Sequence, residues 1–254
     1  MSFRSGFSGL VKNLSGKFGY ELRRIKSVNT PTNKAESHPE YLRDSIVSGL
    51  DVNDYQEIKL GFLKPMPLLE NSLFPLINKF ANPEIIELGP GTGRWTRHII
   101  DYLKNKNGGV LVLADHSEWI LEFLKVYFEK NESSGLRLRY ELCDGYNLPE
   151  TIKDSTADII FSANTFIAFG VYKLYTYSHD FYRKLKSGGY CIFDYIDIES
   201  EGGWKFLKLK TAEKLDYYTY HRFEAVNKIF LDAGFEFTES REYGKSTYLT
   251  YKKP

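Results

Sequence analysis

Ile85-Ile86-Glu87-Leu88-Gly89-Pro90-Gly91-Thr92-Gly93-Arg94-Trp95-Thr96 is an apolar run that passes through alternating glycines into a helical pattern. Gly89, Gly91 and Gly93 let the backbone take up positive φ and approach a ligand where a Cβ would collide with it. The stretch therefore predicts a strand, a binding turn and a helix. In the dinucleotide-binding form G-x-G-x-x-G the third glycine, counted from Gly89, falls on position 94, which is Arg94. The register argues against a nicotinamide dinucleotide.

Downstream of Pro83 the chain alternates short β-rich runs with helical ones, the order of a doubly wound parallel sheet. Strands are expected near 84–89, 109–115, 136–142, 157–163 and 189–196, with helices near 93–105, 117–131 and 171–186. A helix around 220–233 stops at Ala233-Gly234, and two β-rich runs, 235–243 and 246–251, flank Gly244-Lys245. Strands joined so tightly must be antiparallel, since a parallel pair needs a crossover of a dozen or more residues. The fold class predicted is α/β: a doubly wound, seven-stranded sheet, mostly parallel, closed by a C-terminal antiparallel hairpin and preceded by an N-terminal helical extension.

Two acids fall at the tips of successive strands. Asp115 ends the second strand 22 residues after Gly93, where a carboxylate can accept from both hydroxyls of a ribose; its other reading is a cap on the helix that starts beyond Ser117. His116 follows it and, like Trp119, can border a base. Asp144-Gly145 ends the third strand, where a side-chain oxygen and an adjacent backbone N–H suit adenine; the other reading is an Asp-Gly turn. Together with the glycine turn, these residues describe an adenosine site on the carboxyl edge of the sheet.

E-L-G-P-G-T-G-R-W-T, L-A-D-H-S, C-D-G, A-D-I-I-F-S and L-K-S-G-G-Y follow one another over roughly residues 83–196. In this the chain resembles the class I S-adenosylmethionine (SAM) methyltransferases, and the G-P-G-T-G-R-W-T form resembles bacterial members that modify small molecules and sugars. The resemblance implies SAM as cofactor, with Glu87 meeting the methionine ammonium, Gly89, Gly91 and Gly93 passing under the donor, and Asn164 beside the sulfur. Many of the resembling subgroup carry a histidine in a phrase like F-V-H after the fourth strand. Here the matching place reads Phe166-Ile167-Ala168. Methyl transfer to a hydroxyl then needs another base, and Asp194 and His221 rank first by position, ahead of Asp197 and His179. The tyrosines at 217, 218 and 220 stack on an acceptor or form one helix face. The activity expected is methyl transfer to a small-molecule or glycan-linked acceptor at oxygen. The alternatives are an amine or lipid head-group acceptor and a non-catalytic SAM-binding protein of the same fold.

Composition narrows the partners. With 34 basic and 33 acidic side chains the net charge is +1, which gives no field to draw in nucleic acid. Cys143 and Cys191 lie within apolar runs, as reduced core thiols of a cytoplasmic protein do. The five histidines show no ligand spacing, so no metal is expected, and no run has the length of a membrane span. Residues 1–30 carry seven basic or acidic side chains, six of them basic, on a helical apolar spacing interrupted by glycines. This segment reads as a loose tail, a lid or oligomer contact, or a weak membrane-surface anchor. The organisation expected is a basic segment and linker at 1–39, a helical cap at 40–82 broken by Pro65, Pro67 and Pro75, and the SAM-binding domain at 83–254. Tyr41, Tyr55 and Phe62 are candidates to line an acceptor pocket from the cap.

Overall fold

The computed structural model describes residues 38–106, 108–131 and 135–254. The basic amphipathic pattern within residues 1–30 lies outside the described residues. The chain divides into two compact units, Met1–Phe62 and Leu63–Pro254.

In the first unit, helices α1 (His38–Ser48) and α2 (Val52–Ile58) are joined by a turn in which the Asp51 side chain accepts from the backbone N–H groups of Asn53 and Asp54. That satisfies two of the amides a helix start leaves unpaired. Tyr41 meets Phe62 edge-on, with ring centroids 6.0 Å apart.

The second unit opens with α3, a continuous helix made of Met66–Leu68, a π-turn at Leu69–Leu73, and Phe74–Ile77. The prolines do not break it. Pro65 and Pro67 occupy the first turn, where no amide donor is needed, and the wide turn ahead of Pro75 absorbs its missing N–H.

The sheet follows with β1 (Glu84–Leu88), β2 (Gly109–Asp115), β3 (Leu136–Leu142), β4 (Ala157–Ser162), β5 (Leu185–Asp197), β6 (Tyr220–His221), β7 (Glu236–Tyr243) and β8 (Ser246–Lys252). Between these strands come α4 (Thr96–Asn105), α5 (Glu118–Tyr127), α6 (Val171–Lys184), α7 (Glu201–Ala212) and α8 (Phe223–Asp232). The strand order is β3-β2-β1-β4-β5-β8-β7, with β6 paired to the end of β5. All pairs from β3 to β5 are parallel, whereas β8 runs antiparallel to both β5 and β7. The chain reverses its winding between β1 and β4, so a crevice opens above the carboxyl ends of these two strands.

On one face of the sheet, aromatic side chains fill the core. Phe193 stacks on Phe230 at 4.4 Å, Phe230 on Tyr251 at 4.8 Å, and Phe166 lies 4.8 Å from Phe193. All four are wholly buried. Their burial anchors β5, β8 and α8 together, each ring removing a large apolar area from water.

Three elements differ from expectation. Helix α6 ends at Lys184 and β5 begins at once with Leu185, ahead of the expected start at 189. The segment 220–221 is not helical, because it pairs with Ile196 and Asp197. Helix α7 was not expected at all: Gly202 and Gly203 lower its helix propensity. They are needed for close approach, since a Cβ on Gly202 would overlap the Gly244 carbonyl and one on Gly203 the Asp197 carbonyl. Ser200 caps α7 by accepting from Gly203 N–H at 2.9 Å. Replacing it, Ser200→Ala, is expected to cost about 1 kcal/mol, read as a lower urea midpoint at unchanged slope.

Candidate active site

Glycine turn and four strand ends meet at the carboxyl edge. The turn after β1 is held by Gly89 N–H donating to Ala114 O at 2.8 Å and Gly93 N–H donating to Pro90 O at 3.0 Å. Gly89, Gly91 and Gly93 all have positive φ, at 72°, 55° and 85°. A Cβ on Gly89 would overlap the Thr165 hydroxyl, so any side chain there would push apart the ends of β1 and β4. The Ser162 hydroxyl ties the same two ends together by donating to Leu88 O at 2.9 Å.

Beneath the turn lies Glu87, which is 2 % exposed and accepts from the Thr96 hydroxyl at 2.8 Å. Burial pushes its carboxyl up to about 8; the Thr96 bond opposes that rise and the charge of Asp115 adds to it. A buried acid with one hydrogen-bonding partner and another acid nearby is ready to meet a cation.

Asp115 is buried at the tip of β2, with Oδ1 accepting from Ser117 N–H at 2.9 Å and standing 3.3 Å from His116 Nδ1. It thus holds the turn ahead of α5 without capping that helix, whose N-cap Ser117 has no side-chain cap bond, and has a second oxygen besides. His116 is exposed, and its Cβ lies 3.9 Å from the position a Cβ on Gly145 would take. The tips of β2 and β3 are therefore neighbours. Asp144 is exposed, and its Oδ1 accepts from Tyr146 N–H and Asn147 N–H, both at 2.7 Å. These two bonds hold the Asp144 carboxyl below its ordinary value. Asp144 thus organises the bend that follows β3.

Asn164 leaves β4 in the left-handed region, at φ +62°, a conformation uncommon for any residue but glycine. Its N–H donates to Asp194 Oδ1 at 2.7 Å, and its side-chain carbonyl accepts from Lys245 Nζ at 2.7 Å. Asp194 is wholly buried in β5, and burial raises its carboxyl. Its Oδ2 has no hydrogen-bonding partner, nor does the neighbouring Ser246 hydroxyl.

The other base candidate, His221, stands on β6, where Nε2 lies 2.8 Å from Phe169 O. A carbonyl only accepts, so Nε2 carries the proton and Nδ1 of the neutral ring holds the lone pair. Asp194 and His221 share no hydrogen-bonding partner. Asp197 is engaged by the Tyr195 hydroxyl at 2.9 Å, and the exposed His179 lies 3.8 Å from Asp232 on α8.

Tyr217, Tyr218 and Tyr220 lie between α7 and α8, not on one helix face. Tyr218 meets Phe206 of α7 edge-on at 4.8 Å, and its hydroxyl accepts from that of Tyr217 at 2.9 Å. Sequence reasoning missed Phe206, Thr165 and Lys245. Only the position of Thr165, one residue after Asn164, offered a signal. Cys143 and Cys191 are free and buried, and burial pushes the Cys143 thiol up to about 12, far from a reactive thiolate. Among the described residues no group of His, Cys, Asp and Glu could hold a metal ion, and no helix is long and apolar enough to cross a membrane.

Residues 85–189 match a family model described as a methyltransferase domain. No curated protein matches the sequence significantly. Among solved structures, a SAM-dependent methyltransferase from Thermotoga maritima is 20 % identical, with a TM-score of 0.54 over 87 % of this chain and 97 % of that one. One from Methanosarcina mazei is 12 % identical, with a TM-score of 0.56 over 71 % of this chain and 97 % of that one. The (4+2)-cyclase SpnF is 14 % identical, with a TM-score of 0.55 over 75 % of this chain and 79 % of that one. Similarity at this level shows the fold. The family match covers the glycine turn and the tips of β2 and β3, and the sheet order is that of the class I SAM-dependent methyltransferase fold.

Proposed function

We propose that the protein transfers the methyl group of SAM to a hydroxyl of a small-molecule or glycan-linked acceptor. The observation that carries this reading is the buried Glu87 carboxyl beneath the glycine turn, with Asp115 beside it: two acids suited to a ligand that is both a cation and a nucleoside. Bound SAM supplies a methyl group already activated on a sulfonium, which leaves the protein to align, exclude water and accept a proton.

In this reading Glu87 meets the methionine ammonium, and Asp115 takes the ribose hydroxyls through its second oxygen. Asp144 and the Gly145 N–H read adenine, with His116 alongside. Gly89, Gly91 and Gly93 give the donor room, and Asn164 faces the sulfur. Of the two base candidates, His221 has a ring nitrogen free to accept. Asp194 has no exposed atom and grips Asn164 N–H, so it acts as a positioning residue. The partners proposed are a hydroxylated acceptor and no nucleic acid.

Release of S-adenosylhomocysteine tests the reading when the full chain and SAM meet matched panels of sugars, phenols and amines. Stimulation by hydroxyl acceptors is expected. Stimulation by amines alone would replace oxygen with nitrogen as the methylated atom. Binding of SAM with no release by any acceptor favours a second reading, chemistry without methyl transfer, to which the likeness to a cyclase of the same fold lends support.

A further inference from the structure

Lys245 belongs to no part of the donor site described above, yet it stands at that site's border. It comes from the turn between β7 and β8, is half-buried, and donates to the Asn164 side chain at 2.7 Å. Its Nζ lies 5.5 Å from the centre of the Phe206 ring on α7, and Lys210 Nζ lies 5.2 Å from the same ring. Arg94 is buried beside the glycine turn, donating to Leu63 O with its guanidinium 5.2 Å from the Trp95 ring. Trp95 in turn meets Tyr248, the β8 residue paired with Asp194. Phe206 thus carries two of these cations, from separate elements, and Trp95 the third.

Their signs do not balance around Lys245. Burial lowers its ammonium's affinity for a proton, Asp194 opposes this, and both Arg94 and Lys210 add to it. Arg94 and Lys210 thus act against its charge where Asp194 favours it, and that carboxylate is itself pushed toward its neutral form by burial. Lys210 has its own answer in Glu213 at 2.6 Å, at the more exposed end of α7. A half-buried ammonium amid like charges is costly unless an anion joins it. Phe206 with Tyr218 edge-on supplies an aromatic wall on which a sugar face or ring can lie.

We propose that Lys245, backed by Arg94 and Lys210, receives a carboxylate or phosphate carried by the methyl acceptor, whose body rests on the Phe206 ring. This rests on the reading of the protein as an oxygen methyltransferase and narrows its acceptors to hydroxylated anions. The same chemistry has a second source, the carboxylate of the donor's methionine, and the test separates the two.

The full chain is saturated with S-adenosylhomocysteine, and binding of glucuronate, glucose 6-phosphate and glucose is followed by saturation-transfer NMR. The acidic probes are expected to bind more tightly than glucose. Lys245→Met is expected to weaken them about tenfold, through loss of a charge-assisted contact, while changing the affinity for S-adenosylhomocysteine less than about threefold. Lys210→Gln, near the end of α7, is expected to weaken the same probes about threefold. It guards against misfolding of the Lys245 variant, which thermal melting also checks. Equal binding of glucose and the acidic probes, or of the acidic probes to parent and both variants, overturns the proposal. A loss of S-adenosylhomocysteine affinity in folded Lys245→Met that matches the loss of the acidic probes assigns the site to the donor and overturns it as well. Retention of S-adenosylhomocysteine by the parent in either case leaves the methyl-donor reading standing; failure to bind it sinks that reading instead.

Discussion

Affinity for SAM is expected to fall by up to roughly fiftyfold between pH 8 and pH 6, because in the proposed site Glu87 must give up a proton before it can meet a cation. The carboxyl of the free protein sits at about 8, raised by burial, opposed by the Thr96 hydroxyl and raised further by Asp115. An ammonium beside it would favour the ionised form and lower that value, so uptake is expected to release a proton at pH between the lowered value and about 8. Glu87→Gln keeps the Thr96 hydrogen bond and the volume but has nothing to titrate. Its affinity at pH 8 is lower than the parent's and nearly flat down to pH 6. Calorimetry in buffers of different ionisation enthalpy reads both the affinity and the released proton. The same slope in parent and variant would remove Glu87 from the donor site.

The same group acts on stability. Its folded value lies above the ordinary 4.5 of an unfolded glutamate, so its contribution is fully present below about 4.5 and is lost as pH rises through about 8. The free parent is therefore expected to melt at a lower temperature at pH 9 than at pH 6, and Glu87→Gln to narrow that difference.

Asp115→Asn is expected to weaken SAM by about 1–3 kcal/mol, which is roughly 5- to 150-fold at 1.4 kcal/mol per decade. The amide keeps an oxygen for Ser117 N–H, the bond that Asp115 Oδ1 now accepts at 2.9 Å, so the turn ahead of α5 is kept. What it loses is the second acceptor, replaced by a donor that opposes the ribose hydroxyls. Unchanged melting with weakened binding is the expected pair of results. Unchanged binding would reduce Asp115 to its role in that turn.

Strands β1 and β2 were legible because each is a short apolar run ended by a glycine turn or an acid. Strand 109–115 was placed to the residue, and the hairpin at 236–252 nearly so. Helix α7 was hidden because its two leading glycines answer to the backbones of Asp197 and Gly244, contacts made only once the chain is folded. Segment 220–221 was hidden for a related reason: its strand character comes from pairing with Ile196 and Asp197, not from its own residues. At the site, the acids at strand tips were visible one by one. The bonds that join Asn164 to Asp194 and Lys245 were not, since 30 and 81 positions separate those pairs along the chain. Lys245 read only as part of a tight turn.

Amide hydrogen exchange of the full chain, with and without S-adenosylhomocysteine, tests the central claim most directly. The account predicts slowed exchange in four separate stretches, 87–96, 115–117, 144–147 and 163–166, which come together only at the carboxyl edge of the sheet. Unchanged exchange in all four, or protection confined to the opposite edge around 148–158, would contradict it.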